Sequence, residues 1–150
     1  MLRIEIIAAG KMKDKALCAL YDTYAARMRD MRDMSFLLHE IDGRNAADIN
    51  QKLSEKIKDN AYVIALDERG KSLKSTDFSA KIQELAADTR QPVQFVIGGA
   101  DGLDENLKKR ADFLLSFGVQ TWPHMLVRIM LVEQLYRARQ INAGHPYHRE

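Results

Sequence analysis

Three short apolar runs, Ala61-Tyr-Val-Ile-Ala-Leu66, Pro92-Val-Gln-Phe-Val-Ile97 and Phe113-Leu-Leu-Ser-Phe117, each pass straight into a loop of unusual composition. The loops are Asp67-Glu-Arg-Gly-Lys71, Gly98-Gly-Ala-Asp-Gly102 and Gly118-Val-Gln-Thr-Trp-Pro-His124. In open α/β sheets ligands bind outside the carboxyl ends of the strands, where glycine lets main-chain amides and carbonyls approach a small molecule. Three such loops in one chain predict a single pocket at the strand ends.

Apolar periodicity elsewhere supplies the sheet that such loops require. Leu2 to Ala8 alternates as a strand does, and Leu17, Leu20, Tyr21, Tyr24 and Met28 form the stripe of a helix near Asp14 to Met31. Phe36 to Ile41 is the second expected strand, followed by a helix near Ala46 to Asp59, capped by Asn45 and carrying Ile49, Leu53 and Ile57 on one side. The third strand, Tyr62 to Leu66, leads to a helix from about Thr76 to Ala87, with Ser75 or Thr76 as cap. The fourth strand, Val93 to Ile97, precedes a helix near Asp104 to Ala111; the fifth, Phe113 to Phe117, precedes a long helix from Pro123 to Asn142. Proline at a first helical position gives up no needed amide donor. Strand–helix units without a hairpin signal predict an α/β fold, a mainly parallel sheet with helices on both faces. No repeat or linker divides the 150 residues, so residues 1–150 are expected to form a single domain.

Composition limits the alternatives. Folding at this length buries roughly 68–70% of the surface of the extended chain, enough for a sizeable core. The longest apolar stretch, Met125 to Val132, is interrupted by Arg128 and is far shorter than the roughly 20 residues of a membrane span. Met1 to Ala8 reads as a strand rather than a signal peptide, and a cytoplasmic protein is expected. The lone Cys18 sits at a helical apolar position and reads as a small buried side chain. Apolar residues surround most of the last helix, from Met125 to Ile141, whereas a helix lying on a sheet needs one stripe. Either the chain's own elements cover the remainder or a second copy does; few elements are left over, which favours a symmetric dimer.

The Gly98–Gly102 loop is neither G-x-G-x-x-G nor a P-loop, so a phosphate-gripping site is poorly supported, and its glycines also suit an ordinary tight turn. Leu66-Asp-Glu-Arg-Gly-Lys71, Phe95-Val-Ile-Gly-Gly-Ala-Asp-Gly-Leu103, Leu115-Ser-Phe117 with Thr121-Trp-Pro-His124, Glu133-Gln-Leu-Tyr-Arg-Ala138 and Pro146-Tyr-His148 occur in order along essentially the whole chain. Together they resemble the ribosomal large subunit methyltransferase H family of the SPOUT class. The resemblance implies a homodimer with a C-terminal trefoil knot, a topology that general rules of chain connection would exclude. It also implies methylation of N3 of a pseudouridine in 23S rRNA, with S-adenosylmethionine as donor and no metal. Carried over by position, it places the cofactor against Leu66, Gly98, Phe117, Gly118, Val119, Gln120, Thr121 and Trp122. Many relatives carry Ser-Lys-Met or similar where this chain has Gly118-Val-Gln120, and Phe in place of Trp122, a change that main-chain contacts survive and side-chain contacts do not.

For catalysis the resemblance points to Arg137, Tyr147 and His148, in a tail reaching a neighbouring protomer. Arg137 would stabilise negative charge on the uracil ring, and His148 or Tyr147 would hold the base or receive its proton. His148 is favoured as base because an unperturbed imidazole titrates nearest the working pH. His124 and Arg128 are further candidates, each with a structural alternative, a hydrogen bond in the turn or a paired charge. Glu133 stands four residues before Arg137, the spacing of a helical ion pair. His145 and His148 flank Pro146 without an acidic or thiol companion, which speaks against zinc. Arg27, Arg29, Arg32, Lys71 and Lys74 could meet RNA phosphates, yet the net charge is only +2. The rival reading is a noncatalytic RNA-binding or ribosome-assembly module that keeps the fold and the pocket.

Overall fold

A computed structural model describes residues 1–88 and 90–149. Among these the elements run β1 (Leu2–Ala9), α1 (Lys15–Arg29), β2 (Met34–Ile41), α2 (Ala46–Lys56), β3 (Tyr62–Ser72), α3 (Ser75–Ala86), β4 (Val93–Ile97), α4 (Glu105–Arg110), β5 (Phe113–Ser116) and α5 (His124–Asn142). The strands form one sheet in the order β2-β1-β4-β3-β5, and every pairing is parallel. Parallel sheets are covered on both faces. Here the alternation of β1 sends Ile4, Ile6 and Ala8 against Met28 of α1, Phe78 and Ile82 of α3 and Leu131 and Leu135 of α5. Ile7 and Ala9 point the other way, toward Leu53 of α2 and Leu107 of α4. All of β4 is buried, as a central strand between two helical layers must be.

Helix starts follow side-chain chemistry where the chain provides it. Asp14, Asn45 and Asp104 accept the amides of Leu17, Asp48 and Leu107 at 3.0, 2.8 and 2.9 Å. Caps of this kind contribute about 1 kcal/mol each.

The elements depart from expectation at several ends. β2 begins at Met34, two residues ahead of Phe36, because Leu2 and Arg3 of β1 pair with Met34 and Ser35. β3 continues to Ser72 instead of ending at Leu66: a bulge between Leu66 and Lys71 brings Lys71 and Ser72 back into register with Leu115 and Ser116 of β5. α1 stops at Arg29, short of Met31, and α2 stops at Lys56, where Ile57 turns extended. Neither Ser75 nor Thr76 caps α3; Lys74 holds that position without a side-chain bond, and the Ser75 hydroxyl donates instead to Gln134 Oε1 at 2.7 Å. Pro123 is the cap of α5, and His124 its first helical residue.

Much of the apolar circumference of α5 is covered from within. It packs against α1, α3 and β4, burying Ile129, Leu131, Val132, Leu135 and Ala138. Leu20, expected in the buried stripe of α1, is 44% exposed, and Cys18 is half-buried with its thiol 3.4 Å from the Met12 carbonyl. Among the described residues no helix is long and apolar enough to cross a membrane.

One consequence of the strand order positions the site. Because β4, β3 and β5 are neighbours, the bulge that follows Leu66 within β3 and the segments leaving the carboxyl ends of β4 and β5 lie side by side.

Candidate active site

Those three segments enclose a cavity of about 740 Å³, lined by Leu66 to Arg69, Ile97 to Leu103, Lys108, Leu115, Phe117, Gly118, Gln120 to His124 and Val127. Its size falls in the range of small-molecule sites, roughly 300–1,000 Å³. The Gly98–Gly102 turn is tight in its own right. Gly102 N–H donates to the Gly99 carbonyl at 3.0 Å, and a Cβ on Gly98 would lie 2.8 Å from the carbonyl carbon of Gly102. Gly102 itself has φ +73°, a conformation that favours glycine. The turn reading and the pocket reading of this loop are therefore both right, since the compact turn is what leaves space beside it.

Ser116 joins two walls. Its buried hydroxyl lies 3.1 Å from the Glu68 carbonyl and 2.8 Å from the Gly118 carbonyl, and its oxygen accepts the Gly118 amide at 3.0 Å. Trp122 Nε1 donates to the Phe117 carbonyl at 3.3 Å, folding the indole back over its own loop. Asp67 accepts the Arg69 amide at 2.8 Å and pairs with Lys108 at 3.1 Å. Burial pushes its carboxyl up, but these partners outweigh burial and hold it below the usual carboxylate range. At the other side of the cavity His124 is pushed below the usual imidazole range, first by burial and then by the charge of Arg128.

Arg128 itself is wholly buried. It donates to the Ala9 and Gly10 carbonyls at 3.1 and 2.9 Å and pairs with Glu40 at 2.7 Å, which ties α5 to the ends of β1 and β2. The paired-charge reading of this residue is the one realised.

Arg137, Tyr147 and His148 do come together, but none of them lines this cavity. Glu133 organises them: it pairs with Arg137 at 2.7 Å and accepts the Tyr147 hydroxyl at 3.1 Å, while the Arg137 guanidinium lies 4.8 Å from the centre of the Tyr147 ring. Arg137 is raised above its ordinary value by the Glu133 bond, and Tyr147 is raised by burial and by the Glu133 charge. Arg137 Nη1 lies 3.1 Å from His148 Nδ1. A guanidinium can only donate, so Nδ1 accepts here and the ring's proton sits on Nε2. Glu133 also borders a second hollow of about 550 Å³, which shares Leu115, Phe117 and Gly118 with the first. In this chain the tail cluster stands apart from the first cavity, and only the second hollow shares a wall with that cavity.

The family model described as "Predicted SPOUT methyltransferase" matches residues 2–148. The chain belongs to the SPOUT methyltransferase family. Curated relatives agree: the ribosomal RNA large subunit methyltransferase H of Rhodopseudomonas palustris (strain HaA2) is 42% identical over 159 residues, covering 99% of each chain. That of Gluconacetobacter diazotrophicus is 44% identical over 151 residues, covering 97% of each. Among solved structures, a probable methylase family protein from Haemophilus influenzae Rd KW20 superposes with TM-score 0.63 at 11% identity, covering 98% of this chain and 70% of its own. A probable methyltransferase from Bordetella pertussis Tohama I gives 0.57 at 9% identity, covering 91% and 96%. At these identities the structures speak for a shared fold only.

In this SPOUT methyltransferase, Leu66, Gly98, Phe117, Gly118, Gln120, Thr121 and Trp122 all border the cavity. Val119 does not: it is 90% exposed. Sequence reasoning gave no role to Asp67, Lys108 or Ser116. Lys108 was hidden by its place in an ordinary basic helix end, and Ser116 by an apolar run in which a serine looked incidental. Asp67 stands out in the sequence only as the first residue of one of the three loops.

Proposed function

We propose that the chain is an S-adenosylmethionine-dependent methyltransferase acting, as a single domain in the cytoplasm, on N3 of a pseudouridine in 23S rRNA. The observation that carries this reading is the cavity between the bulge of β3 and the ends of β4 and β5, in a chain 42% identical to a relative named ribosomal RNA large subunit methyltransferase H. The lining fits such a cofactor. Leu66, Ile97, Leu115, Phe117 and Val127 offer an apolar slot for adenine, the loops offer main-chain partners, and the carboxylates Asp67, Glu68 and Asp101 outnumber the cations Arg69 and Lys108, a balance that suits a cationic sulfonium better than a phosphate. When bound, S-adenosylmethionine supplies an electrophilic methyl group. Among the described residues no group of metal-ligating side chains accompanies it.

The protein's part is positioning and proton management. Transfer forms an N3–CH₃ bond, breaks the S–CH₃ bond and releases the N3 proton. Holding the reactants at near-attack geometry is worth roughly 7–11 kcal/mol, against about 10²–10⁴-fold for a placed general base. In this reading Arg137 stabilises negative charge on the pyrimidine, and Tyr147 and His148 hold the base or receive its proton. For His148 to receive the N3 proton at Nδ1 it must first leave Arg137.

The tail cluster lies apart from its own protomer's cavity, which supports a homodimer in which one protomer's tail completes the other's site. The half-buried Met125, Leu126, Met130 and Tyr136 of α5 are the faces left for that contact. The C-terminal trefoil knot belongs to this reading; its support is the return of β5 to the outer side of β3 and of α5 between α1 and α3. The test is mass spectrometry of 23S rRNA from cells with and without the gene. Loss of one methyl group from one pseudouridine is expected; an unchanged modification profile refutes the assignment and favours a noncatalytic assembly module.

A further inference from the structure

The cavity has two chemically different sides, and strand alternation assigns them. Ile64 and Leu66 face the layer of α1, α3 and α5, whereas Val63 and Ala65 face α2 and α4. The same alternation carries Asp67 to the α4 side, where Lys108 from the last turn of that helix meets it at 3.1 Å. Both line the cavity. The second acidic neighbour of Lys108, Glu105, is 3.8 Å away with its side chain 79% exposed. An ammonium has three donors, and only one is committed to Asp67 at a short distance. Asp67 is in turn held in orientation by the Arg69 amide, so a fixed negative and a fixed positive group stand side by side on one wall.

The proposed cofactor has the matching asymmetry. Its adenosine half is flat and largely apolar; its methionine half ends in a carboxylate and an ammonium on one carbon. We infer that the Asp67–Lys108 pair recognises that amino-acid end, Lys108 taking the carboxylate and Asp67 the ammonium, which leaves the adenine to the Leu66 and Phe117 side. This inference rests on the cofactor reading above and extends it to two residues outside the glycine-rich loops. It makes the pair a specificity device: ligands lacking the amino-acid carboxylate lose a charge-assisted contact, and the pair remains buried against itself.

Calorimetry on the intact protein separates this from a mere latch between β3 and α4. The unmodified protein should bind S-adenosylmethionine about 10-fold more tightly than decarboxylated S-adenosylmethionine, the scale of one charge-assisted hydrogen bond. Lys108→Met should weaken S-adenosylmethionine by that factor while weakening neither the decarboxylated compound nor 5′-methylthioadenosine; Lys108→Arg should keep the discrimination. Equal binding of the carboxylated and decarboxylated ligands by the unmodified protein overturns the inference, as does a Lys108→Met variant that weakens all three ligands alike or none. If the unmodified protein binds neither S-adenosylmethionine nor 5′-methylthioadenosine, the cofactor reading itself is lost and this inference with it.

Discussion

The two ends of the sheet treat charge in opposite ways. Near the amino ends of β1 and β4, Glu5 is 8% exposed and meets Lys58, the Gln94 amide at 2.8 Å and His39 at 3.5 Å, while Gln94 Oε1 accepts the Lys58 amide at 2.9 Å. The members of this network bond to one another and border neither cavity, with Lys58 keeping 51% of its side chain in solvent. At the carboxyl ends Asp67, Asp101 and Lys108 border a cavity of about 740 Å³ with bonding capacity still facing it. Similar residue types thus bond to one another at one end and border a cavity at the other, and what separates them is whether the neighbouring loops leave a space beside them.

Substitutions in the cavity wall and in the tail cluster should act chiefly on function. Gly98→Val places atoms against the Gly102 backbone and should lower S-adenosylmethionine affinity at least about 100-fold in calorimetry, since the wall must move. Arg137→Ala should leave that affinity unchanged and reduce methyl transfer to ribosomes by about 10²–10³-fold, the range for losing one preorganised donor. At the amino end the effect should be on folding alone. Glu5→Gln should cost about 1–2 kcal/mol at pH 7 in urea denaturation, with cofactor affinity intact.

The amino-end network also carries a pH signature. Burial raises the Glu5 carboxyl, but its bonds to Lys58 and Gln94 outweigh that and hold it below its ordinary value of 4.5. A carboxyl depressed in the folded state contributes stability that is full above its unfolded value and is lost as pH falls through the folded one. Urea midpoints measured from pH 7 downward should therefore fall below about pH 4.5, and Glu5→Gln should flatten that limb. The smallest effect is expected where the two walls meet: Ser116→Ala removes the hydroxyl between Glu68 and Gly118, costing about 1 kcal/mol and weakening the cofactor only a few-fold.

This contrast was half legible in the sequence. The strands, the parallel sheet and the convergence of three loops follow from apolar runs that stop at Leu66, Ile97 and Phe117. The carboxyl end announced itself because glycine and tryptophan in loops are conspicuous. The amino-end network did not, since Glu5 and Gln94 are single polar residues in apolar strands and Lys58 is distant from both in the chain. Strand order is likewise invisible to periodicity, and so was the extension of β3 to Ser72, which depends on partners in β5 beyond a bulge. The apolar girdle of α5 pointed to a missing cover, and α1 and α3 turned out to supply a large part of it. Arg137, Tyr147 and His148 are grouped by resemblance and the Glu133–Arg137 pair by helical spacing; that Glu133 also takes the Tyr147 hydroxyl, and that the cluster stands apart from the cavity, depends on how the chain folds.

That separation is the core of the account, and mixing two inactive proteins tests it most directly. Gly98→Val lacks a working cavity and Arg137→Ala lacks a working tail. If the site is shared between protomers, half of the randomly mixed dimers hold one intact cavity facing one intact tail, and methyl transfer should return to about a quarter of the unsubstituted level. A mixture that stays inactive, while native mass spectrometry shows that mixed dimers have formed, would place cavity and tail in the same protomer's site and contradict the account.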